Sequence, residues 1–391
     1  MQLISKIAAL HEELTRLRRD IHAHPELGFE EARTSALVAD RLASFGLEVH
    51  RGIGKTGVVA RLTCGNGTRT IGLRADMDAL PIEEANGFDY RSQNGGRMHA
   101  CGHDGHTAML LGAAAYLAET RNFDGTVHFI FQPAEEGLGG AAAMLKDGLF
   151  ERFPCEAVFA MHNRPGLAAG KFAIRPGAMM AGGAFFDIAI VGRGAHGARP
   201  ESGIDPVVVA AHVTTALQTI VARNVRPLDT AVLSVTQIHA GAAYNVIPER
   251  AVIRGTVRAF SDDTMKMIEA NMARVAVGVA QGLGATAALD FRYLFLPVVN
   301  DAAETEFIAD TAAELVGAAN VNRTSNLVMA SEDFSFMLAA RPGAYIQIGN
   351  GDRPGGCEVH NPGYDFNDEI LPLGASLFAR LVEKRLARRP A

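Results

Sequence analysis

The segment His99-Ala100-Cys101-Gly102-His103-Asp104-Gly105-His106 holds three histidines, a cysteine and an aspartate in eight residues. Thiolate and imidazole together suit zinc or another first-row divalent ion. Cys101 and His103 are two apart, so they would not share a helix face. Gly102 and Gly105 predict a loop in which both converge on one ion, anchored by a helix from about Thr107. A lone cysteine or histidine is more often structural; the density of the cluster is what favours metal.

Four other segments carry chemistry of the same kind. Phe131-Gln132-Pro133-Ala134-Glu135-Glu136-Gly137 ends an apolar run in two adjacent carboxylates. On irregular backbone one can ligate an ion while the other faces a reacting water. A bare Glu-Glu pair is usually solvated surface, but open α/β sheets place their sites at the carboxyl ends of strands. Val158-Phe159-Ala160-Met161-His162-Asn163 is another apolar run, here ending at a histidine. Cys357-Glu358-Val359-His360-Asn361-Pro362-Gly363 is a loop carrying His360. Taken singly, His162 and His360 read as structural. Asp76 and Asp78 end the run Leu73–Ala75 at alternate positions. They either form a turn or orient a ligand histidine.

These segments need a scaffold. Helical spacing covers 4–21 and 29–45, broken at Pro25 and Gly28. Short β-branched runs predict buried strands at Val58–Leu62, Ile71–Ala75, Val127–Phe131 and Val158–Met161. Helices from Thr107 to Glu119 and from Ala141 to Lys146 fall between them. Residues 176–184 read as a hinge. Beyond it come strand Phe185–Gly192, helix Asp205–Arg223, strands Ala231–His239 and Ala251–Phe260, helix Asp263–Gln281 and strand Thr286–Phe295. That β-α-β-β-α-β order is ferredoxin-like. Helix Ala302–Leu315, strand Ala344–Ile348 and helix Leu373–Leu386 follow. The expected fold is α/β: a larger domain (1–182 and 297–391) with a smaller ferredoxin-like α+β domain (183–296) inserted into it.

Composition narrows the function. The chain has 391 residues, which favours two domains. At 48% hydrophobic and 20% charged it has the make-up of a globular enzyme. A formal net charge of -6 without long basic runs argues against nucleic acid. The basic ending Lys384–Arg389 reads as the tail of a solvated helix. The N-terminus shows helical spacing (Ile4, Ile7, Leu10, Leu14, Leu17, Ile21) and no targeting segment. No uninterrupted run of eighteen apolar residues suggests a membrane span, and the expected location is the cytoplasm. Cys64, Cys101, Cys155 and Cys357 have no disulfide-framework spacing.

Taken together, the motifs resemble the metal-dependent aminoacylase and carboxypeptidase family. They are most similar to its branch of hippurate hydrolases, auxin-conjugate hydrolases and bacterial N-acyl-amino-acid amidohydrolases. The resemblance spans nearly the whole chain. It rests on Arg74–Pro81, His99–Asp104, Pro133–Glu136, Met161–Asn163, Gly192–His196, Asn245–Pro248, Ser331–Phe334 and His360–Pro362. It implies a mixed-sheet, dinuclear-metallopeptidase-like catalytic domain (1–182 and 297–391), an inserted lid and dimerisation domain (183–296), and two divalent ions per subunit, manganese first, with zinc, nickel or cobalt as alternatives. Cys101 would bridge the ions in place of the wider family's aspartate. His103 and His162 would hold one ion, Glu136 and His360 the other. The usual first-motif histidine is absent: Asp76 stands there and His103 takes over as ligand. Glu135 matches the catalytic base and Asp78 its supporting aspartate. His196 matches a lid histidine that reaches the scissile carbonyl, sometimes from the partner subunit. Asn245 and Arg258 match positions that bind the substrate carboxylate, although His196 could be a simple turn residue and Arg258 could face solvent.

The implied reaction is hydrolysis of an N-acyl amino acid, with a homodimer or larger homo-oligomer formed through the lid. A dipeptidase or carboxypeptidase of the same family is the nearest alternative. A cysteine hydrolase using Cys101 with His103 would leave Glu136, His162 and His360 unexplained. A non-catalytic metal- or ligand-binding homologue would leave Glu135 unexplained. The acyl group is not legible from residue types.

Overall fold

In the computed structural model, residues 2–351 and 357–388 are described. Arg389, the last of the expected basic tail, lies outside them. The chain forms two compact units. One comprises Met1–Met179, Val299–Asn326 and Asp333–Ala391; the other comprises Met180–Val298 and Leu327–Glu332.

The first unit is built on an eight-stranded mixed sheet. Its central strands Gly125–Gln132, Thr70–Asp76, Ala157–Pro165 and Gly343–Gly351 lie side by side and parallel. Strands Gly57–Cys64 and Glu48–Ile53 add an antiparallel edge. Phe172–Ala173 and Val321–Asn322 complete the other edge. The central strands are buried along nearly their whole length, which is why their sequences are continuous apolar runs and do not alternate.

The edge strands escape sequence reading for two reasons. The two-residue strands have no period to detect. Glu48–Ile53 mixes Glu48, His50 and Arg51 into a half-exposed edge, where alternation is weak. The predicted helix over 4–21 is in fact two, Ser5–Ala9 and His11–Ala23, and that over 29–45 is Ala32–Ser44.

The helix expected from Thr107 begins instead at His103 and runs to Thr120. The whole turn is made by Gly102, whose φ of 95° is open to glycine and strained for other residues. Gly105 is not a loop residue: a Cβ there would sit 2.3 Å from the Phe366 ring, so its smallness admits that ring against the helix. The helix is buried on all sides, packed against His11–Ala23 and Leu371–Arg385.

The second unit carries four antiparallel strands in the order Ala231–Ala240, Arg250–Ala259, Gly182–Val191, Thr286–Phe295. Helices Pro206–Asn224 and Asp262–Gly282 connect them, giving β-α-β-β-α-β. Both helices start on side-chain caps, Asp205 to Val207 N–H and Ser261 to Thr264 N–H. Val209, Val213, Leu217, Ile268 and Met272 pack with Phe186, Ile188, Ile190 and Ile253 in one core. Pro206–Asn224 is the one described helix with the length and hydropathy of a membrane span, and its buried side belongs to this core. The segment expected as a hinge, 176–184, is mostly extended: it contains strand Gly177–Met180 and the start of Gly182–Val191.

Candidate metal centre

Within the first unit, three parallel strands deliver their carboxyl ends to one place. Asp76 ends one strand and Asp78 lies just beyond it, Glu135 and Glu136 follow another, and His162 lies near the end of the third. The turn before helix His103–Thr120 adds Cys101 and His103, and the loop before Leu371–Arg385 adds His360.

Asp78 organises two of these side chains. His103 Nδ1 lies 2.9 Å from the Asp78 carbonyl and 3.2 Å from its Oδ1. The other carboxylate oxygen accepts the Glu136 backbone N–H at 3.0 Å. His103 Nε2 is buried with no hydrogen-bond partner among the described residues. A ring held through one nitrogen with the other left bare is the arrangement of a metal-ligating histidine. His162 repeats it: Nδ1 donates to the Asn163 carbonyl at 2.7 Å, and Nε2 lies 3.4 Å from Cys101 Sγ. Burial, helped by the neighbouring His106, holds His162 well below its ordinary pKa, in the neutral form that a ligand requires.

The donor atoms fall into overlapping groups. Those of Cys101, His103 and His162 all lie within 4.8 Å of one another, as do those of Cys101, Glu136 and His360. The thiol is common to both groups. A third group of the same span joins His103, Glu135 and Glu136. His360 Nε2 is 3.1 Å from Glu136 Oε1. His360 has a φ of 63°, a strained value for histidine, and its N–H donates to the Ala100 carbonyl at 2.7 Å.

The electrostatics call for positive charge. Burial, then Glu136 and Glu135, push the Cys101 thiol far above its ordinary pKa. Burial would lower His103, but Asp76 and Asp78 outweigh it and raise the ring to about 10. A pocket that disfavours a thiolate and favours a protonated imidazole has excess negative potential. Divalent ions would answer it, releasing both protons and ligating both atoms. The donor set, the bare His103 nitrogen and the charge imbalance all fit two ions.

Glu135 is buried, and its Oε1 accepts the Asp333 N–H at 3.2 Å. The residue before it, Ala134, has a φ of 52°. This left-handed turn directly precedes the two adjacent carboxylates.

Some cluster residues play other parts. His106 pairs with Asp76 Oδ1 at 2.6 Å and with Asn163 Oδ1 at 2.7 Å. Burial opposes ionisation of Asp76, but Arg74, His103 and His106 hold it well below the usual carboxylate range. His99 stands apart from the donor groups, its ring centroid 6.3 Å from that of His22. Asp104 bonds His22 at 2.8 Å and lies 3.4 Å from Arg18.

Sequence reasoning missed Arg18, His22 and Tyr364. Arg18 and His22 were detectable as charged positions on the apolar stripe of helix His11–Ala23. Tyr364, which accepts the Asn163 side-chain amide at 2.6 Å, gave no such signal.

In the second unit, the short ribbon of Ala195–His196 and Val246–Ile247 brings His196 and Asn245 together. His196 pairs with Val246, and Gly197 N–H donates to the Asn245 carbonyl at 2.7 Å. His196 Nδ1 accepts the Ala198 N–H at 3.0 Å, which leaves the proton on Nε2. Arg258 is half-buried on strand Arg250–Ala259. Its Nη1 donates to Thr256 Oγ1 at 2.5 Å and to the Val257 carbonyl at 3.0 Å. Burial alone lowers its pKa, and no carboxylate pairs with it among the described residues.

The sequence profile of Peptidase family M20/M25/M40 matches residues 72–384. The chain belongs to this family. A hippurate hydrolase from Campylobacter jejuni is 44% identical over 386 residues, covering 99% of this chain and all of the relative. An N-acetylcysteine deacetylase from Bacillus subtilis is 37% identical, over 95% of this chain and 97% of that one. A solved Bacillus subtilis structure, described as a dinuclear metal binding peptidase from the M20 family, superposes with a TM-score of 0.85 at 34% identity. It covers 97% of this chain and 99% of its own. In this M20 family member the mixed α/β fold is thus shared with a dinuclear metallopeptidase.

Proposed function

We propose that the protein is a metal-dependent amidohydrolase that cleaves an N-acyl amino acid, hippurate-like or N-acetyl, to a carboxylic acid and a free amino acid. The observation that carries the reading is the pair of three-donor groups sharing Cys101, with Glu135 beside them. The 44% identity to a hippurate hydrolase supports the substrate class.

In this reading Cys101, His103 and His162 would hold one ion and Cys101, Glu136 and His360 the other. When bound, the ions polarise the amide carbonyl and lower the pKa of water. Glu135 takes the water proton and delivers it to the leaving nitrogen. Asp78 keeps His103 and the Glu136 backbone in register. His196, with its proton on Nε2, donates to the developing oxyanion. Arg258, a guanidinium lacking a carboxylate partner among the described residues, binds the substrate carboxylate with Asn245.

Manganese is our assignment for the ions, following the branch that the motifs resemble; zinc, nickel and cobalt also suit the donors. We assign the enzyme to the cytoplasm, following the lack of disulfide-framework spacing among its cysteines; cell fractionation checks this. We also infer a homodimer or larger homo-oligomer through the second unit. Exposed Val207 and Val208 on one helix and Ile238 on an edge strand support that; a monomer mass by light scattering would remove it.

The deciding experiment measures turnover on benzoyl-, acetyl-, indoleacetyl- and fatty-acyl amino acids and on dipeptides, after reconstitution with each metal. N-acyl amino acids should exceed dipeptides. The reverse order would establish the peptidase alternative.

A further inference from the structure

The left-handed conformation of Ala134 is unfavourable for an alanine and persists only where its surroundings impose it. Three hydrogen bonds do so. Ala134 N–H donates to Glu31 Oε1 at 2.8 Å. Gly140 N–H donates to the Ala134 carbonyl at 3.0 Å. Glu136 N–H donates to Asp78 Oδ2 at 3.0 Å.

Glu31 lies 103 positions away in sequence and is fully buried. It stands at the N-cap of helix Ala32–Ser44 yet does not cap it. That task falls to Glu26, whose two oxygens accept Arg33 N–H at 2.9 Å and Thr34 N–H at 2.8 Å. The Glu31 carboxylate is turned away from its own helix. Its second oxygen accepts the Thr56 hydroxyl at 2.6 Å, which fixes the first on the Ala134 amide.

We propose that Glu31 is a positioning residue for the reaction. With Asp78 it clamps the amides of Ala134 and Glu136, on either side of Glu135, and so holds the strained turn that carries both Glu135 and Glu136 into the cluster. Without the clamp, Ala134 relaxes to an ordinary φ and both carboxylates swing from their places. A misplacement of about 1 Å at a reacting group can cost roughly 10²-fold in rate. The inference rests on Glu135 being the base and Glu136 a ligand.

The test is a double-mutant cycle between Glu31→Ala and Ala134→Gly, because glycine adopts a left-handed φ without strain. Each protein is assayed for kcat and KM at saturating manganese, and separately for manganese affinity by chelator competition. Glu31→Ala should lower kcat tenfold or more with KM within about threefold, and weaken metal binding by about tenfold. Adding Ala134→Gly should restore most of both losses. Glu31→Gln should stay close to wild type, since its amide oxygen still accepts the Ala134 N–H. If Glu31→Ala does not fold, Glu31→Asp carries the same cycle.

Wild-type kcat and metal affinity in the Glu31 variant would overturn the proposal. So would losses that are equally deep beside Ala134→Gly, or a Glu31→Gln defect as severe as the alanine's. If the wild type hydrolyses no N-acyl amino acid, the functional reading fails, but the affinity cycle still decides the clamp.

Discussion

Adjacent carboxylates at 135 and 136 have one chemistry and two surroundings. Glu135 accepts the Asp333 amide, while Glu136 faces His360. Glu135→Gln removes the proton acceptor and keeps the volume. It should retain both ions by elemental analysis and lose roughly 10²–10⁴ in kcat; turnover near wild type would dismiss Glu135 as base. The cysteine-hydrolase alternative meets a physical obstacle in the same place. Burial and two carboxylates raise the Cys101 thiol, where a nucleophile needs it lowered. His103, its supposed base, is held by Asp78.

Among the elements, helix His103–Thr120 does most to shape the site. It begins directly on a ligand, and its burial leaves it no freedom to shift. Gly105 tests this. In an open helix Gly→Ala stabilises by up to about 1 kcal/mol, but here the new Cβ would meet Phe366, itself buried in the core. Gly105→Ala should therefore destabilise by about 1–3 kcal/mol. Urea unfolding with chelator present measures this apart from metal binding; a more stable variant would show that the ring gives way. Residue types placed a glycine-flanked turn near 102–105. Only the packing of Phe366 distinguishes a turn glycine, Gly102, from a packing glycine, Gly105.

At the scale of the whole molecule, a buried ionic network ties helix His11–Ala23 to the start of helix His103–Thr120. His22 bonds Asp104 at 2.8 Å and Glu84 at 3.2 Å. Burial lowers its pKa, but those two carboxylates prevail and raise it to about 9. The unfolded value is about 6.5. A raised histidine stabilises fully below pH 6.5, and that stability is lost as pH climbs through 9. Metal-free protein should thus lose up to about 3 kcal/mol between pH 6.5 and 9, by urea unfolding. His22→Gln should flatten that slope; equal slopes in both proteins would rule out His22 as the source. The sequence by itself determined the chemical inventory and most of the scaffold. Density of Cys, His, Asp and Glu marks a metal site, and apolar periodicity marks buried strands and helices, because both signals are local. Tertiary structure alone decided which atoms meet. Glu31 reaches Ala134, Arg18 and His22 reach Asp104, and Tyr364 reaches Asn163 across distances that leave no local pattern. The strained turn at Ala134 is likewise a product of its distant partner, since nothing in an alanine predicts a positive φ.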